Sequence, residues 1–174
     1  MSRTKKITIS GLLIAAGMIL PFFTGQVPEI GSMLLPMHIP VLLCGYLLGW
    51  QSGLVVGAIT PILRSFLFGM PPLLPKALSM AFELAVYGAM TGILYSKFSK
   101  RKGGIYFSLI PSMLLGRLVW GVVSIPIYGI SGAPFGIKVF LAGAFLESIP
   151  GILLQLILIP LLVVALRKSG VIEE

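Results

Sequence analysis

Six apolar stretches follow one another along this chain, separated by polar or Pro/Gly-rich breaks too short to fold by themselves. They lie at about 7–23, 38–50, 53–69, 76–95, 105–128 and 139–166. A helix needs about 20 apolar residues to cross a bilayer, so 174 residues hold these stretches and almost nothing else. Charged residues make up only 10% of the chain and the mean hydropathy is +1.05, whereas soluble chains carry roughly 25% charged residues. Lipid is the natural solvent. The expected fold is an all-α integral membrane protein: a single membrane domain over 1–174 with six transmembrane helices.

The basic residues fall at the ends of the apolar stretches, which accounts for a formal charge of +8 without nucleic acid as a partner. With the N-terminus in the cytoplasm, six spans place Arg3, Lys5, Lys6, the cluster Lys97, Lys100, Arg101 and Lys102, and the pair Arg167 and Lys168 inside. Only Lys76 and Lys138 then lie outside. Positive residues mark the cytoplasmic side, so both termini are expected there. The basic start followed by an apolar run looks like a signal peptide, but no small-x-small cleavage site precedes a soluble domain, and a retained first span is the expectation. Lone Cys44 sits in an apolar run with no neighbouring His or Cys, so it is read as a packing residue.

Glycines divide the chain further. Gly11 and Ala15 form a small-xxx-small pair in the first span, suited either to packing within the chain or to docking of a separate membrane subunit. Gly45/Gly49 and Gly53/Gly57 flank a tight turn and predict a close hairpin between the second and third spans. Gly88/Gly92 marks close packing of the fourth. Pro61 predicts a kink in the third span. Residues 24–37 are too polar and too broken by Pro28 and Pro36 to cross, and read as a long outer loop.

Ionisable groups inside the spans constrain function most. A charge facing lipid costs at least a few kcal/mol, so it must face a cavity or a partner. Arg64 lies ~7 Å below the outer end of its span, and Glu83 and Glu147 ~12 Å, at 1.5 Å per residue. Arg117 falls near the midplane. Their formal charges cancel, which fits one compensated cluster. The reading is a cavity open to the outside, lined by Arg64, Glu83, Arg117 and Glu147 with Tyr87, Trp120 and His38. The alternative is two structural ion pairs, Arg64–Glu83 and Arg117–Glu147.

Several chemistries lack their motifs. The segment 132–138, GAPFGIK, has neither the spacing nor the Lys-Ser/Thr ending of a phosphate-binding loop. No HExxH or paired His/Cys ligands occur, so no metal or other cofactor is expected. One His and no G-x-S-x-G argue against a serine-type hydrolase, and no repeated selectivity loop argues for a channel. The site can bind a ligand; little suggests that it transforms one.

Residues 37–88, MHIPVLLCGYLLGWQSGLVVGAITPILRSFLFGMPPLLPKALSMAFELAVYG, carry a family resemblance. With its His-Ile-Pro start, Gly-rich hairpin, Gly-Met-Pro-Pro turn and Glu-x-x-x-Tyr-Gly, this stretch resembles the substrate-binding S components of energy-coupling factor (ECF) vitamin transporters. The similarity extends over nearly the whole chain. It implies a six-helix monomer in a prokaryotic plasma membrane, binding a vitamin or precursor from outside under the loops at about 24–37 and 69–75. It also implies partners: a transmembrane T component and two cytoplasmic ATPases, whose ATP hydrolysis topples the S component. Docking would use small residues on the first helix, here Gly11 and Ala15. Two arginines suit a carboxylate or phosphate, which puts pantothenate first and α-ribazole next, with pyridoxine, hydroxymethylpyrimidine and folate-type ligands open. The alternative is a structural or assembly subunit of a membrane complex.

Overall fold

Two glycines with positive φ punctuate the centre of the chain. Gly49 (φ 87°) ends one helix and starts the next, and Gly69 (φ 69°) terminates that next helix in the left-handed conformation before Met70-Pro71-Pro72. Prolines there cannot continue a helix, so the break is built into the sequence. The computed structural model describes residues 1–24 and 28–170, and every regular element among them is helical. The helices are α1 (Arg3–Ile19), α2 (Pro28–Leu34), α3 (His38–Leu48), α4 (Trp50–Phe68), α5 (Leu78–Phe98), α6 (Gly104–Ile130), α7 (Ile137–Leu141) and α8 (Ile149–Lys168). A 3-10 turn, Leu20–Thr24, prolongs α1, and π-type turns lead into α5 (Leu73–Ala77) and out of α7 (Ala142–Leu146).

Five helical runs are long and apolar enough to cross a membrane: Arg3–Phe23, Trp50–Phe68, Leu73–Phe98, Gly104–Ile130 and Ile137–Lys168. Helix α3 is the exception. Its 11 residues extend about 16 Å at 1.5 Å per residue, about half a ~30 Å hydrocarbon core. The segment read as the outer loop 24–37 differs from expectation, because α2 occupies Pro28–Leu34. Proline is well tolerated at the start of a helix, where its missing N–H would have no partner. The last stretch, expected as one span over 139–166, lies within the single membrane-length run Ile137–Lys168, which carries a π-type turn at Ala142–Leu146 before α8.

Helix α5 is the axis of the bundle. A Cβ added at Gly53 would collide with the backbone of Gly88, one at Gly57 with that of Leu84, and one at Gly45 with Thr91 and Gly88. The predicted α3–α4 hairpin glycines therefore serve a different contact: both helices turn them against α5. Such small-residue seams let backbones meet where lipid supplies no hydrophobic drive between helices. Val41, Leu42, Val56, Leu84, Leu109 and Ile159 fill the space around them. Several buried hydroxyls bond within their own helices, as Thr60 does to the Val56 carbonyl (2.6 Å) and Thr91 to that of Tyr87 (2.8 Å). In lipid such groups have no water to turn to.

One end of the bundle is tied shut. The Tyr46 hydroxyl shares a 2.9 Å hydrogen bond with Ser108 and donates to the Ile105 carbonyl at 3.0 Å. Arg167, at the end of α8, lies 5.1 Å over the ring of Tyr95. The basic residues 97–102 and 167–168 thus share one end. Near the other end, Gly17 meets Thr60 and the Met18 carbonyl meets Arg64.

Replacing Gly88 with Ala must therefore push α4 from α5. The expected loss is about 1–3 kcal/mol, the usual cost of overpacking, measured as a lower melting temperature in detergent. Gly11→Ala, whose Cβ would enter open space, should leave the melting temperature unchanged.

Candidate ligand cavity

A cavity of about 390 Å³ opens at the end of the bundle away from the basic cluster. Its floor comes from α3, α5 and α6, and one wall from α6 and the broken start of the last span. Its roof comes from Pro21, the α2–α3 link 35–37 and the α4–α5 turn 70–72. His38, Arg64, Glu83, Arg117, Trp120 and Glu147 all line it, six of the seven residues picked from the sequence for ligand contact. The seventh, Tyr87, does not. It is fully buried beneath, with its ring edge-on to His38 at 5.2 Å. Tyr87 and Arg117 also border a second, apolar cavity of about 170 Å³ between α6 and α8.

The floor is a buried charge cluster. Glu83 Oε1 lies 3.1 Å from Arg117 Nη1 and 3.5 Å from His38 Nε2, which joins α5 to α6 and α3. All three side chains are buried. Local sequence explains the geometry. Glu83 and Tyr87, four residues apart, share one face of α5. Gly116 precedes Arg117 on α6, and a Cβ there would strike the Tyr87 ring and crowd the Glu83 carbonyl. The missing side chain lets α6 approach until Arg117 reaches Glu83.

Neither pairing considered from the sequence forms. Arg64 donates to the Met18 carbonyl and lies over the rings of Phe22 (5.1 Å) and Phe68 (5.4 Å), which themselves meet edge to face at 5.1 Å. It clasps the end of α1 to the end of α4. Glu147 is exposed on the cavity wall. The reason is azimuth: depth along a span can be counted, but the glycine seams decide which way each helix faces.

An aromatic group stands beside Glu147. Trp120 stacks on Phe140 (6.0 Å between centroids) and meets Phe135 edge-on at 5.6 Å, with Tyr128 on the far side of Phe135 at 4.9 Å. Gly143 admits the Trp120 ring, whose edge lies 3.2 Å from where a Cβ would sit. Lys76 also reaches the cavity. The sequence marks it only as an outer basic residue, and its place beside the Pro-rich turn is the one signal for a site role.

Gly11 and Ala15 lie far from this site. Gly11 is exposed on α1 and Ala15 partly so, while Leu13 and Gly17 face inward. No group of three His, Cys, Asp or Glu side chains among the described residues could hold a metal ion.

Several membrane-length helices around a cavity with a charged floor, aromatic wall and proline-rich roof define a multi-span membrane protein that binds a small molecule. The family model for the ECF transporter, substrate-specific component, matches residues 5–163. The chain belongs to that family and is a transporter subunit, which is not an enzyme family. Comparison with curated proteins and with solved structures finds no match to either.

Removing one partner of a buried ion pair costs about 3–5 kcal/mol, because the other charge is left uncompensated. Glu83→Ala should therefore destabilise the folded protein by that amount in a reversible unfolding assay. Glu83→Gln combined with Arg117→Gln, which removes both charges, should recover at least half of it.

Proposed function

We propose that this protein is the membrane-embedded binding subunit for import of a water-soluble vitamin or vitamin precursor, pantothenate first and α-ribazole next. One observation carries the reading: the cavity opens at the end opposite the basic residues, where the positive-inside rule puts the external medium. Both termini and residues 97–102 are then cytoplasmic, and the single membrane domain lies in a prokaryotic plasma membrane. Arg64, Glu83, Arg117, Trp120, Glu147 and His38 contact the ligand or frame its pocket, with Tyr87 supporting His38 from beneath. A volume of about 390 Å³ suits a molecule of vitamin size, since ligand pockets run from about 300 to 1,000 Å³.

Energy comes from outside this chain, which carries no phosphate-binding loop. A T component with two cytoplasmic ATPases supplies it. The T component docks on the Gly11–Ala15 face of α1, where exposed small residues permit close approach of another helix.

A screen of water-soluble vitamins and precursors by thermal shift, with native mass spectrometry of the detergent-purified protein, tests the reading. A ligand that binds only the folded state at a hundredfold excess over its dissociation constant adds about 2.7 kcal/mol to apparent stability. One clear hit is expected; a folded protein that ignores the whole panel would count against a binding subunit. Orientation is tested separately. Cys44 is buried, so a cysteine placed by Ser99→Cys should react with a membrane-impermeant maleimide only in inverted vesicles. One placed by Ala133→Cys should react only in intact cells.

A further inference from the structure

Two arginines line the cavity, and they are bonded differently. Arg64 is engaged by the Met18 carbonyl and by the faces of two phenylalanine rings. Arg117 gives Nη1 to Glu83 at 3.1 Å, with the Tyr87 hydroxyl beside the guanidinium. Its Nε and Nη2 are buried and have no hydrogen-bond partner. The side chain is 6% exposed, and buried donors of a charged group are rarely left without an acceptor.

The two unmatched nitrogens are not an arbitrary pair. In a planar guanidinium the Nε–H and one Nη2–H point the same way along one edge. That edge matches the two oxygens of a carboxylate in a side-on, bidentate contact. Glu83 occupies a different nitrogen, so it positions the guanidinium without blocking the edge.

Charge around the cavity sets the size of the anion. The lining holds the cations Arg64, Lys76 and Arg117 and the carboxylates Glu83 and Glu147. One positive charge is left over. A singly charged acid balances it, whereas a phosphate dianion would leave the site net negative in a medium that penalises uncompensated charge.

From these observations we infer that Arg117 receives the ligand through its Nε–Nη2 edge and that the group received is a planar, singly charged carboxylate, while Arg64 serves as the clasp between α1 and α4. This rests on the cavity being a vitamin site and specifies the ligand class within it. Aromatic Trp120 and Tyr128 then meet the uncharged remainder of the molecule.

The test compares each acid with its neutral partner on the purified full-length protein: pantothenate against panthenol, and nicotinate against nicotinamide, by calorimetry and thermal shift, with α-ribazole and its phosphate alongside. At least one acid should bind at least about tenfold more tightly than its neutral partner, the discrimination expected for hydrogen bonds to a charged group. Arg117→Gln with Glu83→Gln should abolish that ratio, and Arg167→Gln, at the opposite end of the bundle, should leave it intact. Arg64→Gln should lower the melting temperature while reducing the ratio less than the Arg117 change does. If the double variant fails to give a monodisperse, helical protein, Arg117→Lys replaces it. That variant keeps the charge and loses the fork, so it too should erase the ratio. Equal binding of acid and neutral partner overturns the inference and leaves the vitamin reading standing. So does tight α-ribazole or phosphate-ester binding with no acid bound, or a ratio that follows Arg64 rather than Arg117. Failure of every compound to bind overturns both.

Discussion

The ion pair between Glu83 and Arg117 is the constraint on which the rest of the structure turns. Two charges have been taken out of water into a bundle surrounded by hydrocarbon, and their mutual attraction offsets the desolvation only if the contact is close and held in place. At 3.1 Å it is close. Holding it requires α5 and α6 to approach within side-chain reach at one level, with His38 of α3 brought in behind them at 3.5 Å. Hydrophobic packing alone could not specify that level, because leucine slides against leucine with little preference in a medium equally apolar. A buried charge pair penalises any slip.

The glycines make this approach possible and therefore belong to the site as much as the charges do. Gly116 gives way to Tyr87, so α6 comes close enough for Arg117 to span the gap. Gly45, Gly53 and Gly57 do the same for α3 and α4 against α5. The consequence is a graded molecule. More than half of the α5 span is buried, 56%, against 17% for α1 and 22% for the last span. The cavity floor stands on the tightly packed helices, and its roof is made of a short helix and turns, in which Leu35 and Met37 are buried but Met70, Pro71 and Pro72 are not. Local opening draws on regions of that second kind, so ligand access through the roof need not disturb the charge cluster below.

Much of this was legible in the sequence, and the limit has a physical form. Apolar length and the placement of basic residues predict membrane-length helices and their polarity. Charges in apolar segments predict a polar site, and six of the seven picked residues do share one cavity. Partners were not legible. Arg64 and Glu83 lie at similar depths and invite pairing, yet Arg64 turns to Met18 and Phe22 while Glu83 turns to Arg117 and His38. Rotation of a helix about its axis leaves a faint trace in a chain apolar on nearly all sides. It is fixed by which glycine meets which backbone, a long-range fact. The same holds for α2, hidden by two prolines and too short to show a period. The π-type turn at Ala142–Leu146 has a local signal instead, since Gly143, Glu147 and the Pro150-Gly151 pair interrupt the apolar run there.

Helix α1 shows how far a small-residue pattern can be taken. It carries Gly11, Ala15, Ala16 and Gly17 within two turns. The fold separates them. At about 100° per residue, Gly11 and Ala15 lie about half a turn from Leu13 and Gly17, the residues that α1 buries. Gly17 is used inside the chain, where Thr60 fills the space a Cβ would need. Gly11 meets nothing within 4 Å. Exposed leucine beside it says little, since lipid covers leucine as well as a partner would. An exposed glycine is different: it offers a neighbouring helix a closer backbone than lipid chains can exploit, at the expense of helix propensity. The outward face of α1 is therefore set apart by the gap at Gly11 rather than by the exposed Ile7, Leu12 and Ile19 around it.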